Sequence, residues 1–183
     1  MQVLYHGSTE KGLTELLPQV SDHGEPYVYL TKNIVVAAFY TVRPVARPYN
    51  WYPYGFIKGV PCYTEYYPGA MADIYQGRPG VIYRCGKPEE TVNPTDIYCA
   101  VLSPSPVKVQ SVIEIGEMYR WFLEREKAGE LIIQRDGDLS EEQKAFAVEM
   151  ITNEIRTYRL KENNTSDYAR MICEKFPQVW EKA

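Results

Sequence analysis

Leu4-Tyr5-His6-Gly7-Ser8, then Tyr29-Leu30-Thr31, then Ala37-Ala38-Phe39-Tyr40 are the three stretches on which the reading of this chain turns. The apolar run Val3-Leu4-Tyr5 predicts a strand that delivers His6 to its end. Gly7-Ser8-Thr9 then predicts a sharp exit where backbone can approach a ligand closely. A neutral imidazole both donates and accepts, and the Ser8 hydroxyl and Gly7 backbone add partners within short range. Such a corner suits the hydroxyls of a ribose or an amide. Alternation in Tyr27-Val28-Tyr29-Leu30-Thr31 puts Tyr27, Tyr29 and Thr31 on one face of a second strand and Val28 and Leu30 on the other. Thr31-Lys32-Asn33 predicts the start of a helix that carries Val35, Val36, Ala37 and Ala38 and reaches Tyr40.

Two tyrosines thus approach one space from different elements. An aromatic sandwich holds a flat cationic ring by stacking and cation–π attraction, about 0.5–2 kcal/mol per good contact. The nicotinamide of NAD+ is such a ring. Each residue also has a plainer reading: His6 and Tyr5 as a core pair at a turn, and Tyr29 and Tyr40 as ordinary core aromatics.

These stretches resemble the first two motif regions of the ADP-ribosyltransferase superfamily, in the branch of the poly(ADP-ribose) polymerases and the bacterial rifampin ADP-ribosyltransferases. The likeness rests on roughly the first forty residues. It implies an α+β fold of split, mainly antiparallel sheets around an NAD+ cleft, followed by a helical C-terminal segment. It further implies that His6, Gly7 and Ser8 bind ribose and carboxamide, that Tyr29 stacks on nicotinamide, and that Tyr40 closes the sandwich. NAD+ is then a substrate, and no metal is expected. The third family element is a carboxylate that stabilises the sugar cation formed as nicotinamide departs. Its polymerase-like position falls near Ser103 or Ser105, before the predicted strand of residues 106–113. The rifampin-like position falls in the loop after Gly80-Val81-Ile82-Tyr83-Arg84, which makes Glu89 and Glu90 the candidate acids and Asp96 a third. Glu89 and Glu90 beside Pro88 also read as a solvated loop. The implied reaction transfers ADP-ribose to an acceptor that the sequence does not identify, whether protein, small molecule, nucleic acid base or water. Two alternatives stand beside it: a catalytically impaired relative that binds NAD+ or ADP-ribose or serves as an interaction module, and an RNA 2'-phosphotransferase-like enzyme with Arg43, Arg47 and Arg84 clustered on a phosphate.

The remaining sequence sets the frame. At 183 residues, with 45% hydrophobic and 24% charged side chains, the chain can bury a proper core. Its formal net charge of -4 offers no general basic field, so nucleic acid is not an expected partner. No run approaches the roughly 20 apolar residues of a membrane span, and the start lacks the pattern of a signal peptide, so a cytoplasmic protein without a membrane partner is expected. Cys62, Cys85, Cys99 and Cys173 are widely spaced, and only His6 and His23 accompany them, which argues against a zinc site or a disulfide framework. Cys85 and Cys99 read as small buried hydrophobes.

Thirteen of sixteen tyrosines and twelve of thirteen prolines fall in residues 1–113, which divides the chain near residue 113; the resemblance then implies an NAD-binding core at 1–113, with a helical segment at 114–183 packed on it. Prolines and aromatics crowd residues 43–56 too closely for a helix. A shaped loop is predicted there, with Arg43 or Arg47 able to meet a pyrophosphate and Trp51 or Tyr54 an acceptor or adenine. Tyr63-Thr64-Glu65-Tyr66-Tyr67 predicts a strand with Glu65 as a spare acid, and residues 68–75 a short helix. Met118, Trp121, Phe122 and Arg125 are spaced for another helix. Ser140-Glu141-Glu142-Gln143 is a capping box that opens a helix toward Leu160, burying Phe146, Ala147, Met150, Ile151, Ile155 and Tyr158. Ser166-Asp167 can cap a last helix, and Pro177 and Trp180 belong to a docked end.

Overall fold

The computed structural model describes residues 3–20, 24–43, 53–95 and 97–183. In chain order its elements are strands β1 (Leu4–Ser8), β2 (Glu15–Leu16), β3 (Gln19–Val20) and β4 (Pro26–Thr31), helix α1 (Ile34–Phe39), strands β5 (Tyr54–Ile57) and β6 (Val60–Thr64), and helix α2 (Ala70–Tyr75). Strands β7 (Gly80–Cys85), β8 (Ala100–Ser103) and β9 (Val107–Ile115) follow, then helix α3 (Met118–Lys127), strand β10 (Ile132–Gln134) and helices α4 (Glu141–Thr157), α5 (Asp167–Lys175) and α6 (Pro177–Lys182). The fold is mixed α+β. Among the described residues no helix is long and apolar enough to cross a membrane.

The chain forms two compact units, one of Met1–Val42 with Tyr75–Leu131 and one of Arg43–Ile74 with Ile132–Ala183. The shift in sequence character near residue 113 does not coincide with this division. Strand β9 continues through it to Ile115, and the stretch expected to be purely helical contains β10, which pairs in parallel with β6.

In the first unit, seven strands run in the order β2-β9-β7-β1-β4-β3, with β8 also on β4. All of their pairings are antiparallel. Leu4, Val28, Leu30, Val81, Tyr83, Cys85 and Val107 form a core that Leu16 and Leu13 help to close. Alternation then sends Gly7, Gly80 and Ile82 to the opposite face. That face is covered by helices. A Cβ on Gly7 would stand 1.8 Å from the Ala37 carbonyl oxygen in α1, and one on Gly80 would stand 2.2 Å from the Met118 sulfur in α3. Helix α1 forms where the sequence predicts it because the Asn33 side chain accepts from the Val35 and Val36 amides, groups a helix start leaves unpaired. Phe39 stacks on Phe122 at 5.2 Å, and the Tyr75 hydroxyl donates to the Phe39 carbonyl at 2.8 Å. These contacts fix the far end of α1.

In the second unit, β5 and β6 make a hairpin through Lys58 and Gly59, both at positive φ, the geometry of a two-residue type I′ turn. Tyr54 and Phe56 therefore lie in a strand and not in the predicted loop. Strand β6 ends at Thr64, earlier than the strand expected at Tyr63–Tyr67. Glu65 is buried and accepts from the Met71 amide at 3.0 Å, so the spare acid is used as a helix cap. The Ser140/Gln143 capping box is present with both of its bonds, and Ser166 caps α5. Ala147, Ile151 and Ile155 are buried in α4 as expected, but Phe146 is exposed because it sits one residue out of their four-residue stripe. Helix α6 packs on α4 and α5.

Candidate functional site

The pairing of β1 is lopsided. Its flank toward β7 is continuous, with five register pairs from Leu4↔Cys85 to Ser8↔Val81. Toward β4 there is one, Tyr5↔Thr31. A strand whose ladder stops leaves backbone groups to be satisfied some other way. His6 supplies it: its Nδ1 lies 2.8 Å from the Tyr29 carbonyl oxygen. A carbonyl can only accept, so Nδ1 carries the proton and Nε2 of the neutral ring keeps its lone pair as an acceptor. Burial holds the imidazole below its ordinary pKa, against the smaller upward pull of the bond to Tyr29. No hydrogen bond engages Nε2 among the described residues.

His-Gly-Ser is therefore not the strand exit that the sequence suggests. The strand runs through Ser8, and the bend comes at Thr9. The reason is the unbroken ladder with β7. Gly7 also has a packing cause, because its Cα faces the Ala37 carbonyl; what it can offer a ligand is backbone. The Ser8 hydroxyl oxygen accepts from the Glu10 amide at 3.0 Å and keeps its own proton for donation.

Register places Tyr29 opposite Leu102 of β8 and on the side of its strand that carries Thr31. Thr31 stands opposite Tyr5, on the same sheet face as Gly7 and α1. Tyr29 meets Tyr27 edge to face at 6.4 Å and is half-buried. Tyr40 terminates α1, exposed, and its amide donates to the same Ala37 carbonyl that stands over Gly7. Strand tyrosine, glycine and helix thus share one face. His6 belongs to the other, beside its register partner Tyr83 at 6.5 Å between ring centroids.

Glu89 and Glu90 are exposed in the loop after β7 and bond to none of His6, Ser8 and Tyr29. That loop leads to Val92, which bridges to Leu102, the partner of Tyr29. Asp96, Arg47 and Trp51 lie outside the described residues. Arg43 is exposed and opens the second unit, and Arg84 is exposed in β7. Ser103 is fully buried and spent on the Ser105 backbone, donating at 2.8 Å and accepting at 3.2 Å.

Sequence reasoning missed two residues. Glu114 shares a register row with Ser8 and Val81, and it pairs with Lys11 at 3.4 Å. Tyr83 turns its hydroxyl onto the loop after Ser8. Both depend on pairings between residues about seventy or more positions apart, which no local pattern encodes. Cys85 behaves as expected of a buried hydrophobe, its thiol pushed up to about 11 by burial. Among the described residues no cluster of His, Cys, Asp or Glu could hold a metal ion. Compared with protein-family models, curated proteins and solved structures, the chain finds no match in any of the three.

Proposed function

We propose that this chain is an NAD+-dependent ADP-ribosyltransferase with an ADP-ribosyltransferase-like fold. The observation that carries the reading is the interrupted β1–β4 ladder, bridged by a neutral imidazole that still has an acceptor to give; Tyr29 and α1 lie on the face opposite His6, so a ligand held by both would pass where the ladder stops. In this reading His6 Nε2 accepts a ribose hydroxyl while Ser8 donates. Tyr29 and Tyr40 stack on nicotinamide. Its ring is already cationic, so it leaves neutral with the electron pair of the bond to ribose. Positive charge then passes to the sugar, where Glu89 or Glu90 stabilises it until the acceptor adds and gives up its proton. A neutral His6 suits a site where positive charge develops, because an imidazolium would oppose it.

Calorimetric titration with NAD+ tests this directly. His6→Ala and Tyr29→Ala should each weaken binding about tenfold or more while the chain stays folded. Unchanged affinity in both variants ends the reading. A second reading draws on the exposure of Glu89 and Glu90, which bond to none of His6, Ser8 and Tyr29: a chain that binds NAD+ or ADP-ribose without turnover. Nicotinamide release by the wild type, lost in the Glu89→Gln/Glu90→Gln double variant, favours the enzyme. Binding without release favours the alternative.

A further inference from the structure

Tyr83 is fully buried in the core of the first unit, yet both valences of its hydroxyl are spent on one surface loop. It donates to the Glu10 carbonyl at 2.8 Å and accepts from the Leu13 amide at 3.1 Å, clasping residues 10–13 at both ends. The loop begins where the Ser8 hydroxyl holds the Glu10 amide, and Gly12 turns it with φ +77° in open space. Its outer side is tied to β9 by the exposed Lys11–Glu114 pair. The Tyr83 ring is also the register neighbour of His6. One side chain therefore lies beside the imidazole and sets the backbone that follows the serine.

We propose that Tyr83 is a positioning residue for the ADP-ribose half of the ligand, acting through the loop it clasps. The inference rests on the NAD+ reading above. Nicotinamide, assigned to the face of Tyr29 and α1, does not depend on this loop. The part of the ligand beyond the ribose held by His6 and Ser8 does.

The test is calorimetry on the full chain with ADP-ribose and, separately, nicotinamide. Tyr83→Phe keeps the ring and removes the hydroxyl. It should weaken ADP-ribose about tenfold, speed hydrogen exchange at the Leu13 amide, and leave nicotinamide unchanged. Gly12→Ala strains the same loop at a position favouring glycine without touching the core. It should give the same pattern, and it serves where Tyr83→Phe fails to fold. Wild-type affinity for ADP-ribose in a folded variant overturns the role of Tyr83 and leaves the NAD+ reading standing. Equal weakening of both ligands marks general loss of packing and overturns it too. A wild-type chain that takes up neither ADP-ribose nor NAD+ overturns both readings together.

Discussion

The polar side chains of the second unit and the imidazole of the first answer the same problem with different remainders. Glu65 holds the Met71 amide, Ser140 and Gln143 hold each other's amides, and Ser166 holds that of Ala169. Each meets a donor that a helix start leaves without an intrahelical partner. Each thereby spends an acceptor, while the serines keep a hydroxyl proton as Ser8 does. His6 likewise holds a backbone group, the Tyr29 carbonyl, but a ring with two nitrogens has a second to offer. Those caps sit at helix starts of the second unit, whereas the imidazole bridges an interrupted ladder in the first and keeps an acceptor nitrogen, and that difference in place and valence singles out His6.

The severest challenge to this contrast is Gly7→Ala. If the glycine of His-Gly-Ser serves a ligand, the variant folds and loses binding. If it serves α1, the variant loses stability first. A methyl 1.8 Å from a backbone carbonyl cannot be relieved by rotating a side chain, so α1 must move off the strand. We expect a cost of about 3 kcal/mol or more, measured by chemical denaturation. A stable Gly7→Ala chain would mean that α1 does not hold this face, and the placing of Tyr29 and α1 on one side would go with it.

The sequence is legible where the physics is local. Asn33 before α1, the Ser140 box and the Ser166 cap act over two or three residues, and the structure has all of them. The alternation of β4 likewise sends Val28 and Leu30 into the core and Tyr29 away from it. What the sequence hides is long-range. The strand carrying His6 does not end at Gly7, because β7, more than seventy residues on, pairs with it through Ser8. The glycine reads as a turn until Ala37 is seen against it. The spare acid Glu65 cannot be recognised as a cap from spacing alone, since the amide it holds lies six residues away across a turn. The site is accordingly half visible: its residue types stand in the sequence, while their faces and their bonds come from register.

A sharper version of the contrast uses pH. Burial lowers the His6 pKa below 6.5, so the unfolded chain takes up that proton before the folded one does. The contribution of His6 is therefore complete above about pH 6.5 and is lost as pH falls from there toward the lowered value. Affinity for NAD+ should follow its own folded titration, level at neutral pH and falling once the Nε2 lone pair is protonated. Denaturation curves from pH 8 to 5 on wild type and His6→Gln read the first effect. Calorimetry over the same range reads the second. His6→Gln should flatten the acid-side slope in stability, and a slope that survives the substitution would assign it to other groups.

The smallest effect belongs to the other side of the comparison. Ser140→Ala removes the acceptor for the Gln143 amide and frees the Gln143 side chain from its reciprocal bond, which should cost about 1 kcal/mol of stability. Because Ser140 caps a helix of the second unit and bonds to none of the residues assigned to NAD+, NAD+ affinity should not move at all. Denaturation and calorimetry on the same preparation read both quantities. The expected pairing, a measurable loss of stability with unchanged binding, is the opposite of what His6→Ala should give. If Ser140→Ala weakened NAD+ as much as His6→Ala does, binding would merely be tracking stability, and the distinction between a helix cap and the bridging imidazole would fail.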